Sequence, residues 1–200
     1  MKAEPARGRE AVEDALIEAT CDLLSEVGPR ATSVRDIASR AGVNHGQVHH
    51  YFGGKRALLK EAMRRMARYY YEAIKELSGG QVIPPPLASP DDQRYLKALV
   101  RATIEGDVDL ARTEIEEGVS VSRGVLEFLT QRRGLTEPPL DLKVALAEGT
   151  AMQLGWMALE PLLFLVADVK PEEEDEVRET IRRIAYAKRV PVERSDRPEA

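Results

Sequence analysis

The sequence predicts an all-α protein, on three observations. Apolar residues recur at three- and four-residue spacing through successive segments. Those segments are bounded by Ser, Asn, Gly and Pro where helices start and stop. No segment competes with the alternation of a half-buried strand. With 200 residues, 43% hydrophobic and 32% charged, the chain can build one large or two small cores and is not compositionally disordered. Its single cysteine, Cys21, excludes an intrachain disulfide and fits a reducing cytoplasm.

The first helix runs from Arg9 to Val27, with Val12, Leu16, Ala19, Leu23, Leu24 and Val27 on one face. Gly28-Pro29 ends it, since proline disfavours helix in its predecessor. A short helix follows from Val34 to Ala41, buried through Val34, Ile37, Ala38 and Ala41. Ser33 is its cap and Asp36 stands at the reciprocal capping-box position. Gly42 turns the chain, Asn44 caps a third helix to about Tyr51, and Gly53-Gly54 closes it. The fourth, Lys55 to Leu77, carries Leu58, Leu59, Met63, Met66, Tyr70, Ile74 and Leu77 along roughly 35 Å.

Residues 78–90 hold Ser78-Gly79-Gly80, Pro84-Pro85-Pro86 and Ser89-Pro90, which read as a linker because proline interrupts helices. The expected organisation is therefore a domain at 9–54, a connecting helix at 55–77, the linker, a second helical domain at 91–190 and a tail at 191–200. Within the second domain helices are expected near 91–105, 107–117, 120–132, 140–167 and 171–189. The last opens with acidic residues and closes with basic ones, matching the helix dipole. Residues 144–166 are the most apolar, but Glu148, Gln153, Glu160 and Pro161 interrupt them. They read as a buried helix rather than a membrane span.

Charge is divided along the chain. Between Arg30 and Lys75 ten basic residues face three acidic ones, a net +7 that leaves −12 elsewhere in a chain of total charge −5. Such a division suggests a nucleic-acid-facing module joined to an acidic body, although a solvated helix face fits the same count. The helices decide between them. Two short helices joined at Gly42, flanked by an amphipathic and a basic helix, make a helix-turn-helix whose second short helix would enter the major groove. On it, His45, Gln47, His49 and His50 offer donors and acceptors to bases or phosphates, while Val48 and Phe52 anchor it inward. Thr32 and Ser33, at a helix start with free amides, and Lys55, at the start of the fourth helix, are candidate phosphate contacts.

The run from Thr32 to Leu59, TSVRDIASRAGVNHGQVHHYFGGKRALL, resembles the tetracycline-repressor (TetR) family of one-component regulators over about residues 9 to 60. The resemblance implies a dimeric, all-helical, DNA-binding transcription regulator, more often a repressor, whose C-terminal domain binds a small molecule. By position it implies phosphate contacts at Thr32 and Ser33 and base reading by Gln47 and its neighbours, with Asn44 and Tyr51 in the same interface. It also implies a clamp at Lys55. The family often has tyrosine in place of His49 and serine or threonine in place of Asn44.

In the C-terminal half, Tyr95, Phe128, Met152 and Trp156 are the bulky side chains expected to line an apolar effector cavity. Glu148, Gln153 and Glu160 could orient an effector's polar group or face solvent or a partner. The last two long helices of two copies are the expected dimer interface. No metal or cofactor is indicated: His45 and His49 have ligand spacing, but Gly46 stands where a metalloprotease motif has glutamate. Cys21 reads as a buried structural thiol, and Tyr70 within Tyr69-Tyr70-Tyr71 as core. An enzyme using Glu148 or Glu160 lacks any nucleophile, phosphate-loop or metal signature. A protein interaction module on the same fold is the remaining alternative.

Overall fold

The computed structural model describes residues 8–81, 83–88 and 90–189. Ten helices and no strand are found among them: α1 (Arg9–Ala31), α2 (Val34–Ala41), α3 (Gly46–Phe52), α4 (Lys55–Leu77), α5 (Arg94–Ile104), α6 (Val108–Ala111), α7 (Thr113–Glu116), α8 (Val121–Arg132), α9 (Leu140–Val166) and α10 (Glu174–Arg189). The described residues divide into two compact units, one drawn from residues 1–74 and 89–121 and one from 75–88 and 122–200.

In the first unit, Leu16, Leu24, Ile37, Val48, Leu58 and Ala62 are completely buried and join α1, α2, α3 and α4 in one core. The residues following the linker do not all belong to the second unit. α5 packs along α1, and Ala98 and Ala102, both fully buried and one turn apart, permit a close approach of the two axes. Arg94 fastens the same pair, donating to Asp92, Glu18 and Asp22 at 2.8 to 3.1 Å. The expected single helix over 107–117 is two short ones, meeting at Arg112.

α1 differs from expectation at its end. Gly28 adopts φ 82 and ψ 171, a conformation glycine tolerates, and Pro29 starts one further turn rather than ending the helix. Proline fits the first position of a turn because its missing N–H is not needed there.

In the second unit α9 and α10 pack together. The Arg178 guanidinium lies 5.0 Å from the centre of the Phe164 ring and donates to Glu160 at 2.9 Å, and Trp156 meets Phe164 edge to face at 5.8 Å. Glu160 therefore holds α10 rather than standing open for a ligand. Gln153 likewise donates to the Ala88 carbonyl at 3.1 Å, tying the linker to α9. α9 corrects the expectation of a buried helix. It continues through Pro161, and only Leu142 and Phe164 are buried along its length. By length and composition α9 could cross a membrane.

Candidate nucleic-acid interface

The helix-turn-helix is built by local rules. Ser33 Oγ accepts from the Asp36 N–H at 3.1 Å and donates to the Asp36 carboxylate at 2.5 Å, so the pair closes the start of α2 through side chains. Gly42, at φ 67, ends α2 with its N–H on the Ser39 carbonyl. Asn44 Oδ1 accepts from the Gly46 N–H at 2.8 Å and its carbonyl from the Gln47 N–H at 3.0 Å, which starts α3. Gly53, at φ 73, closes it.

Val48 is wholly buried and Phe52 half-buried, so α3 is held by its inner face. Asn44, His45, His49 and His50 are exposed, while Tyr51 is half-buried. The Tyr51 ring meets His50 edge to face at 4.7 Å and has the Arg9 guanidinium 6.0 Å from its centre. Among the described residues no carboxylate is within ion-pair distance of the three imidazoles, and no cluster of metal ligands occurs. An outward row of donors and acceptors with no acidic neighbour can meet base edges and phosphates.

Three expected contacts occupy other positions. Thr32 is 1% exposed and its hydroxyl donates to the Gly28 carbonyl at 2.7 Å, so its side chain holds the α1 break instead of facing a phosphate. Lys55 is half-buried and its ammonium donates to the Pro29 carbonyl at 2.9 Å, so a phosphate must compete with that bond. Gln47 is half-buried, and its Oε1 is enclosed without a hydrogen-bond partner. An unpartnered buried carbonyl is costly, which favours swinging this amide outward when a base can accept it.

The basic run from Arg30 to Lys75 is not a free positive face. Arg40 pairs with Glu26, Arg56 with Asp107 and Asp109, Arg65 with Asp14 and Glu18, and Arg68 with Glu117; Arg64 pairs with Glu61 and Glu117. These guanidiniums hold Glu26, Asp107 and Glu117 below the ordinary carboxylate range. Apart from Glu61, on α4 itself, the acids come from α1 and the α5–α7 segment, so charges separated in sequence are neighbours in space. Arg35, exposed on α2, has no carboxylate within ion-pair distance among the described residues and adds a cation that motif reading passed over.

The expected effector residues fall in different units. Tyr95 is 3% exposed in the first unit, its ring tilted against that of Tyr70 with centres 5.2 Å apart, and its hydroxyl donates to Glu114 at 2.5 Å. It is core, and burial beside a carboxylate pushes its phenol well above the usual range. Phe128, Met152 and Trp156 are half-buried in the second unit. A cavity of about 510 Å³ opens elsewhere, in the first unit, between Pro29, Arg30, Lys55 and the Glu105–Asp107 turn. Cys21 is buried, with its thiol pushed up to about 12 by desolvation.

Residues 16–62 match the profile of bacterial regulatory proteins of the tetR family. Over 171 residues the chain is 30% identical to the HTH-type transcriptional repressor Rv3405c of Mycobacterium tuberculosis, covering 86% of this chain and 85% of that protein. It is 37% identical over 94 residues to the HTH-type transcriptional regulator BetI of Yersinia pestis, 47% of this chain and 42% of that one. A tetR-family transcriptional regulator from Streptomyces coelicolor shares the fold with a TM-score of 0.54 at 21% identity, over 91% of this chain and 82% of that one. With its outward α3 and this similarity along most of its length, the chain belongs to the tetR family and is a DNA-binding transcriptional regulator.

Proposed function

We propose that this regulator represses transcription in the cytoplasm by binding a palindromic operator as a homodimer, and that a small-molecule effector held by the C-terminal helices releases it. The observation that carries the DNA reading is α3. Its inner face is fixed by Val48, while His45, His49 and His50 lie outside without acidic neighbours. Asn44, Gln47 and Tyr51 complete the base-facing set. Ser33, Arg35 and Lys55 meet phosphate, and Thr32 contributes through the backbone it holds. The relative named a repressor favours repression over activation.

The dimer is supported by α9. Leu140, Val144, Ala147, Ala151, Ala158, Leu162 and Leu165 are exposed and fall on one stripe at helical spacing. An apolar stripe of this length is covered most economically by its own copy, and a two-fold axis pairs identical surfaces. α4 starts beside α3 and ends in the second unit, so an effector beside Phe128, Met152 and Trp156 can act on it as a lever. Coupling of about 1–3 kcal/mol would change operator affinity roughly 5- to 150-fold.

The test is selection of duplexes from a random pool by the purified chain. A palindrome with half-sites about one helical turn apart, and affinity falling steeply with salt, is expected. Gln47→Ala should alter the selected sequence. Retention without sequence preference, or insensitive to salt, would reject the operator reading and favour a partner other than DNA.

A further inference from the structure

α1 does not run straight into the DNA-reading helices. Gly28 interrupts it, and residues 29–31 form a last turn before Thr32 and the α2 cap Ser33. A helical turn restarted in mid-chain has amides without partners in the preceding turn. Pro29 brings no N–H, and the Arg30 N–H is taken by Glu105 Oε2 at 2.8 Å, from the residue that follows α5. The Arg30 guanidinium returns to the Glu105 carbonyl at 2.9 Å, and one turn earlier Arg101 Nε donates to the Ser25 carbonyl at 3.0 Å. The carboxylate fits because position 28 has no side chain: a Cβ there would lie 2.2 Å from Glu105 Oε1. On the other side Lys55 holds the Pro29 carbonyl, and the Thr32 hydroxyl closes on Gly28.

We infer that Glu105 is a positioning residue for DNA reading: seated in the notch at Gly28, it caps the last turn of α1 and fixes the angle at which the chain enters α2. The inference rests on α3 being the groove-facing helix. Four hydrogen bonds from three elements, α1 itself, α4 and the end of α5, converge on Gly28, Pro29, Arg30 and Thr32. Glu105 supplies the side-chain acceptor among them, 75 residues away in sequence. Removing it leaves α4 and Thr32 to hold the turn, so the protein stays folded while the pose of α2 and α3 loosens. Affinity that depends on placing α3 against particular bases suffers; affinity for phosphates in general does not.

The experiment compares the native chain, Glu105→Ala and Glu105→Gln on a duplex that the native chain selects from a random pool and on a shuffled duplex. It is run at a temperature where circular dichroism shows these and every further variant folded. Glu105→Ala should lower the ratio of selected to shuffled binding by about tenfold, the scale of a lost cap, and should speed hydrogen exchange at the Arg30 amide. Glu105→Gln keeps an acceptor and should stay within about threefold of native. Gly28→Ala, which expels the carboxylate, should lower the ratio as well, and combining it with Glu105→Ala should add little. An unchanged ratio in Glu105→Ala, an equal loss in Glu105→Gln, or additive losses in the double variant would overturn the inference alone. A native chain that retains no duplex would overturn the DNA reading with it.

Discussion

Thr32 and Ser33 stand side by side at the start of α2, yet their hydroxyls do different work. That of Thr32 is inside, on the Gly28 carbonyl; that of Ser33 receives the Asp36 N–H. Ser33→Ala should therefore destabilise the first unit by about 1 kcal/mol, the cost of an N-cap, read as a lower urea midpoint with an unchanged slope. The capping role was legible because it needs only a three-residue spacing. The inward turn of Thr32 was not, because it depends on the broken end of α1. Cys21 makes a second residue-scale test. Its thiol is pushed up to about 12 by burial, so the folded state keeps the proton while the unfolded chain releases it near the ordinary thiol value. Cys21 thus adds stability that is complete below that ordinary value and lost as pH rises toward 12. Native protein should lose melting temperature between pH 9 and 11 more steeply than Cys21→Ala, and equal slopes would contradict this account.

At the scale of elements, periodicity and caps located nearly every helix, since both are local. They did not locate their partners. α5 follows a proline-rich stretch and reads as the start of a second domain, but its alanines and Arg94 dock it on α1. The charge runs misled for the same reason: the acids of α1 and α5–α7 neutralise the arginines of α4 across distances of about fifty residues. The outward imidazoles and the inward Val48 were legible because their exposure depends only on the faces of α3 and its N-cap. Arg94 also lowers the Asp92 carboxyl through their hydrogen bonds. A carboxylate held below its ordinary value contributes stability that is present above that value and lost as pH falls through the depressed one. Both members of this network are about a third exposed, so its worth is on the order of 1 kcal/mol. Arg94→Met should lower the urea midpoint slightly at pH 7, and the gap from native should narrow as pH falls below the ordinary carboxylate range. A gap of undiminished size in acid would contradict an ion-pair origin, since Met keeps the apolar stem and removes only the guanidinium.

For the whole molecule, one recognition helix reads only a few base pairs, and affinity for a unique site comes from joining two. In the homodimer proposed above, the joining surface has to be strong enough to set the spacing of the half-sites, and α9 has the composition for it. Its exposed stripe carries Leu140 and Val144 at one end, Leu162 and Leu165 at the other, and Ala147, Ala151 and Ala158 between them. Small residues in the middle let two copies of the helix cross closely, while the larger ones fill the flanks. A guanidinium at the crossing would have to be buried against its own symmetry mate, and two like charges in a dry interface cannot both be satisfied. Ala151 is exposed in the single chain, so the same substitution costs the monomer fold little. Ala151→Arg should thus sediment as a monomer of 22.2 kDa, keep the helical circular dichroism of the native protein, and lose operator affinity at least about a hundredfold. Binding to a single half-site on a longer, low-salt probe should survive, because α3 is untouched. If the variant remains a dimer, α9 is not the surface that joins the two copies.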